Sequence, residues 1–203
     1  MLARRLPALA LSRRSPLLLA HRLSSSIAIP GTPRVLTDVA KTDLLEGEPP
    51  ARVSALWEGF HDDKQFVAGV SIDPSEYNAI ADRGGESPTF VFPVRRDNGH
   101  FMLFSQYSTA QRMFVFTFLE DYRKNPAMAQ PWASVHLFDE LIVSKGLGLL
   151  RAEVASERLT TPEAAHLLLL VRRYYGTDHY DKAWQFNHFQ QRFDLDAYLA
   201  ACP

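Results

Sequence analysis

The 203-residue chain holds a single cysteine, Cys202, next to its C-terminus. One thiol excludes an internal disulfide and any metal site built from a cysteine cluster. As a nucleophile Cys202 is badly placed, at a chain end expected to fray and with no neighbouring base to lower its pKa. There is no GxxxxGKS/T run, which removes a P-loop for ATP. GxSxG and HExxH are also absent. Gly146 and Gly148 lack the third glycine of a dinucleotide fingerprint and open a strand rather than a helix. Acidic residues are missing from residues 1–37, which carry six arginines (Arg4, Arg5, Arg13, Arg14, Arg22 and Arg34). The rest is left with 16 basic and 23 acidic residues, a net of −7. An acidic body argues against nucleic acid as a partner, because phosphate contacts need clustered Lys and Arg. After the N-terminal stretch no segment reaches the roughly 18 apolar residues that span a bilayer, so a soluble product without stable membrane insertion is expected.

Arg-, Ser- and Leu-rich and free of acids, residues 1–37 have the composition of a mitochondrial transit peptide. A cationic amphipathic segment is drawn to acidic receptors and to a matrix-negative potential. A secretory signal needs an unbroken apolar stretch of roughly 7–15 residues; Arg13, Arg14 and Pro16 interrupt the only candidate. Cleavage is placed near Arg22–Ser25. Residues 38–50, ending in Pro49 and Pro50, read as a linker with a weak helical turn around 39–45. Residues 51–203 then form one domain.

The clearest stretch of that domain is 87–122. Residues 89–94, 101–107 and 112–119 are β-branched and aromatic runs. Residues 95–100, with Asp97, Asn98 and Gly99, supply a turn that tolerates positive φ. An antiparallel meander follows, with Pro93 at an edge or bulge because it cannot donate to a ladder. Phe114, Phe116 and Phe118 share one face; Met113, Val115 and Leu119 share the other. Both faces are apolar, so both need cover, from the protein's own helices or from something it binds.

Before the meander, residues 51–61 form a helix with Val53, Leu56, Trp57 and Phe60 on one stripe. Residues 65–72 form a strand. Asp73 caps a second helix, with Tyr77, Ile80 and Ala81 inward and Gly84 and Gly85 ending it. After the meander, 125–132 is irregular, 134–138 and 147–154 are strands, and 139–146 is a turn or short helix. Thr160 and Glu163 have capping-box spacing and open a buried helix that stops at Gly176. Residues 181–188 read as the last strand, and Asp194 caps a terminal helix over 195–201. Strands and helices do not alternate as βαβ units, so the fold class is α+β with a mainly antiparallel sheet.

Two polar groupings are candidates for a metal or catalytic site. His136, Asp139 and Glu140 are close in sequence, but on a strand His136 and Asp139 face opposite sides and no third ligand is apparent. His179, Asp181 and His188 lie in a polar stretch without metalloenzyme spacing. A small-molecule-binding or hydrolytic matrix enzyme stands as the alternative, and a buried polar pocket gathering His136, Asp139 and Glu140 would favour it.

Several runs, in order, resemble one family. They are SPTFVFPV at 87–94 with Arg96, Asp97 and Gly99; Phe104 and Gln106; LEDY at 119–122; His136 with FDEL at 138–141; Lys145 and Gly146; Arg151, Ala152 and Glu153; and DKAWQFN at 181–187. The match covers roughly 51–199, with Phe189 and Gln190 departing from the pattern. The chain thereby resembles the assembly factors of the F1 (catalytic head) sector of mitochondrial ATP synthase. The resemblance implies a non-enzymatic, ATP-independent matrix chaperone without a cofactor, whose transient client is the beta subunit. It holds the client until the alpha subunit displaces it. The contact should bury roughly 1,200–2,000 Å² or less, with aromatic anchors and a polar rim. The two-faced meander suggests that apolar surface around Phe104 and Tyr107 meets the client. Trp184 and Phe186 are expected in the core.

Overall fold

A computed structural model describes residues 30–203; the expected leader up to residue 29 and its cleavage point lie outside the described residues. Six strands form one sheet: β1 (Val67–Ile72), β2 (Thr89–Arg96), β3 (Gly99–Ser108), β4 (Met113–Phe118), β5 (Pro131–Phe138) and β6 (Gly148–Val154). Their order is β1-β6-β5-β4-β3-β2, with every pairing antiparallel. The class is α+β, as expected. The β2–β3 turn is tighter than its sequence suggests. Arg96 pairs with Gly99, so only Asp97 and Asn98 connect the strands, and Gly99 takes φ 130°.

Nine α-helices are described: α1 (Leu36–Val39), α2 (Thr42–Glu46), α3 (Pro50–Asp62), α4 (Pro74–Glu86), α5 (Leu119–Lys124), α6 (Ile142–Lys145), α7 (Thr161–Val171), α8 (Tyr180–His188) and α9 (Leu195–Ala201). The capping signals of α4, α7 and α9 form as written: Asp73, Thr160 and Asp194 each accept a main-chain N–H three residues on. A π-helical turn, Arg172–Gly176, continues α7. Its wider winding lets the adjacent Tyr174 and Tyr175 both enter the core, at 2% and 0% exposure.

The last expected strand, 181–188, is instead α8. Its inward positions are Tyr180, Ala183 and Asn187, a helical and not an alternating period. Asn187 supplies what a further strand would have given. Its side-chain oxygen accepts from the Thr89 N–H at 3.2 Å and its nitrogen donates to the Thr89 carbonyl at 2.6 Å. The β2 edge is thus closed by a side chain. Pro93 does lie on this edge strand, with its missing N–H directed away from β3.

Gly84 and Gly85 do not end α4, which runs on to Glu86. Gly84 is there for contact: a Cβ would sit 2.9 Å from the Tyr107 ring. Gly84→Ala is expected to cost about 1–3 kcal/mol by overpacking, read as a lower midpoint in thermal unfolding followed by circular dichroism.

The sheet's two apolar faces are covered by the chain itself. On one, α4, α7, α8 and α9 enclose a core built on Phe90, Phe92, Leu103, Phe114, Phe116 and Leu150. On the other, α3 packs on β1, and α5 lies over β3 and β4 with Tyr122 against Phe104 at 4.3 Å between ring centres. A second, smaller core on that face joins Val53, Trp57, Phe138, Leu141 and Leu149 to Leu36, Val39, Ala40 and Leu45. Residues 30–46 therefore form a strap that packs as part of the domain, although the sequence reads as the end of a leader and a linker. Leu36 is fully buried.

Candidate functional site

The strap's closest tie to the sheet is ionic. Arg34 meets Glu153 of β6 at 2.8 Å. Arg151, two residues back on the same face of β6, donates to the same Glu153 carboxylate, also at 2.8 Å. Glu153 is fully buried and Arg151 is 5% exposed. Arg151 also reaches His61 Nε2 of α3 at 2.8 Å. An arginine only donates, so Nε2 accepts and the His61 proton sits on Nδ1, bonded to the Trp57 carbonyl at 2.7 Å. Burial, with Arg151 and Lys64 nearby, pushes the His61 pKa down to about 3. His136 of β5 lies in the same cluster. Its Nε2 is 3.1 Å from the Ser134 hydroxyl and 3.9 Å from Glu153, and its buried Nδ1 has no partner among the described residues. Burial lowers its pKa to about 4.

Two cations, one anion and two neutral imidazoles thus gather between the strap and the sheet, with Arg34 contributed by the strap itself. His61 was not singled out in the sequence, though it falls on the helical stripe of Val53 and Trp57, eight and four residues behind it. Gly69 of β1 makes room for it, since a Cβ there would meet the ring at 2.4 Å.

Neither of the two polar groupings, for which the sequence offered no third ligand or metalloenzyme spacing, comes together as a site. His136 faces Glu153, whereas Asp139 pairs with Arg112 and Glu140 accepts the Leu36 N–H at 2.8 Å. His179 and His188 stand at opposite ends of α8, about 13 Å apart by helical rise. Asp181 pairs with Lys182 at 3.1 Å. Cys202 does not fray. It is 5% exposed, and its carbonyl accepts from Arg95 at 3.1 Å.

Of the expected client contacts, Phe104 is half-buried under Tyr122. Tyr107 is 8% exposed, wedged between Gly84 and Phe114, and has little surface to offer. Phe186 does pack in the core, against Phe90 and Phe193. Trp184 departs from expectation: it is 37% exposed on α8. Its ring lies 5.1 Å from Phe189, itself 45% exposed, and 5.2 Å from His188. The Arg192 guanidinium stands over Phe189. These side chains form an exposed aromatic ridge with a cationic margin, the residue types enriched where proteins meet.

Fold and ridge together define an α+β protein whose single sheet is closed on both faces by its own chain, and whose exposed aromatics gather at one end of α8. The family model described as ATP11 protein matches residues 22–197, and the chain belongs to that family. Three curated relatives are each named ATP synthase mitochondrial F1 complex assembly factor 1. The mouse protein (Mus musculus) is 23% identical over 145 residues, 71% of this chain and 44% of the relative. The zebrafish protein (Danio rerio) is 22% identical over 170 residues, 82% of this chain and 55% of the relative. For the human protein (Homo sapiens) the figures are 23%, 71% and 43%. The chain spans about half the length of these relatives.

Proposed function

We propose that this protein is an assembly factor for the F1 sector of mitochondrial ATP synthase, acting in the matrix. It holds the unassembled beta subunit and yields it to the alpha subunit. Membership of the ATP11 family over residues 22–197 carries this assignment. A subunit awaiting its ring neighbours exposes apolar surface that drives aggregation. A partner that covers this surface stabilises the soluble form by mass action, and the alpha subunit releases it by competing for the same surface. We place part of the contact on the ridge of Trp184 and Phe189, with Phe104 as a further candidate and Tyr107 in support behind it.

The test is capture of purified beta subunit on the full chain, with alpha subunit then added. Beta should be retained and then lost. Trp184→Ala combined with Phe189→Ala should weaken capture about tenfold or more, with the melting temperature nearly unchanged because both side chains are partly exposed. Failure to retain beta, with the chain folded, would remove the proposal.

A further inference from the structure

His188, at the end of α8, belongs to the aromatic ridge on one side and to the interior on the other. Its ring lies 5.2 Å from that of Trp184. Its Nε2 is 3.4 Å from the Ser87 hydroxyl, which is 2.9 Å from the Tyr180 hydroxyl, which is 2.6 Å from the Glu86 carboxylate. Ser87 is the fixed point of this row. It is fully buried, its N–H donates to the Arg83 carbonyl at 2.8 Å, and its own carbonyl accepts from the Tyr175 hydroxyl at 2.9 Å.

Each proton in the row has one place. A carboxylate only accepts, so the Tyr180 O–H donates to Glu86. Burial, together with the bond to Glu86, pushes the Tyr180 pKa up to about 12, so the phenol keeps that proton. With its proton committed, the Tyr180 oxygen accepts from the Ser87 O–H. The Ser87 oxygen has then only lone pairs left for His188, which must donate through Nε2–H. A neutral imidazole carries a single N–H, so its Nδ1 is left as an acceptor. His188 is exposed, and Nδ1 has no partner among the described residues.

We infer that Ser87 is a positioning residue for client recognition, an inference that rests on the assembly role and the ridge proposed above: it holds His188 with Nδ1 presented as a hydrogen-bond acceptor beside Trp184, and the client segment that meets the ridge carries an N–H or O–H donor next to its apolar side chain. Exposed aromatics alone discriminate weakly between apolar segments. One fixed acceptor among them rejects a segment without the donor, because Nδ1 would then be covered and left unpaired.

Long-range proton–nitrogen NMR of the histidine rings in the full chain reads the tautomer directly. At about pH 8, where an ordinary imidazole is neutral, His188 should be in the Nε2–H form. Glu86→Gln changes an exposed residue at the far end of the row from the ridge. An amide both donates and accepts, so the row can then run in either direction and His188 should populate both tautomers. Capture of purified beta subunit should weaken about twofold in Glu86→Gln and about fivefold in Ser87→Ala. Ser87→Ala leaves the Tyr180–Glu86 bond in place, so its melting temperature should be nearly unchanged; if that variant does not fold, Glu86→Gln decides. An Nδ1–H tautomer in the unaltered chain overturns the inference. So does a shifted tautomer with capture as before, which leaves the assembly role standing. If the unaltered chain retains no beta subunit, the inference falls together with the role.

Discussion

A chain that begins at residue 38 is expected to melt roughly 10 °C below one that begins at residue 30. The shorter chain lacks Arg34 and Leu36. Leu36 is fully buried in the second core, and losing it costs about 2–3 kcal/mol. Loss of Arg34 leaves the buried Glu153 with Arg151 as its remaining cation. Breaking a buried pair outright costs about 3–5 kcal/mol, and the surviving Arg151 reduces this, so a total of about 4 kcal/mol is reasonable. Calorimetry of the two chains reads the difference directly, and Leu36→Ala or Arg34→Met in the longer chain separates the two contributions. Equal midpoints would show that the strap is dispensable. The practical consequence is that client capture with a chain starting at 38 would test a weakened protein. It also sets an expectation for the processed form: a leader cut near Arg22–Ser25 leaves the strap whole, whereas one at residue 37 would not.

The second large effect is acid sensitivity. His61 and His136 are 1% exposed and held neutral, with pKa values lowered to about 3 and about 4 from the ordinary 6.5. Both sit among Arg34 of the strap, Arg151 and Glu153 of β6, and Lys64 beyond α3. A proton on either ring would add a cation to a cluster in which two arginines already face one carboxylate. The unfolded chain binds these protons below about pH 6.5 and the folded chain does not. The stability contributed by the neutral rings is therefore fully present above pH 6.5 and is lost as pH falls through 6.5 towards 4. By pH 4 the loss is on the order of 3 kcal/mol for each histidine. Urea unfolding at a series of pH values should show this acid limb. His136→Phe, which removes the unpartnered Nδ1 together with the Nε2 that pairs with the Ser134 hydroxyl, should flatten it by about half. An acid limb unchanged in that variant would place the titration elsewhere.

Much of the fold was legible because local rules and tertiary structure agree. The meander announces itself through alternation in 89–119 and through Asp97-Asn98-Gly99. The starts of α4, α7 and α9 are written in Asp73, Thr160 and Asp194, whose side chains bond to the next turn whatever lies around them. Pro93 named the edge strand because a missing N–H is a property of the residue itself.

The misses share one physical cause, which is that the deciding partner is distant in sequence. Residues 181–188 could pass for a strand until Asn187 is seen to serve Thr89, 98 positions away. Gly84 looks like a helix stop until Tyr107 is found pressed on it. The strap looks like a linker because its few apolar residues acquire meaning only against Trp57, Phe138 and Leu149. Trp184 looks like core because an isolated aromatic more often is. The candidate site was hidden for the same reason. His61, Arg151, Glu153 and Arg34 come from three separate stretches of the chain. Local signals in the chain were enough for the helix starts, the class of the fold, the cationic leader composition and the family. Which charges are buried together and which aromatics remain at the surface took the folded chain to settle, because burial and pairing depend on residues brought together from far apart.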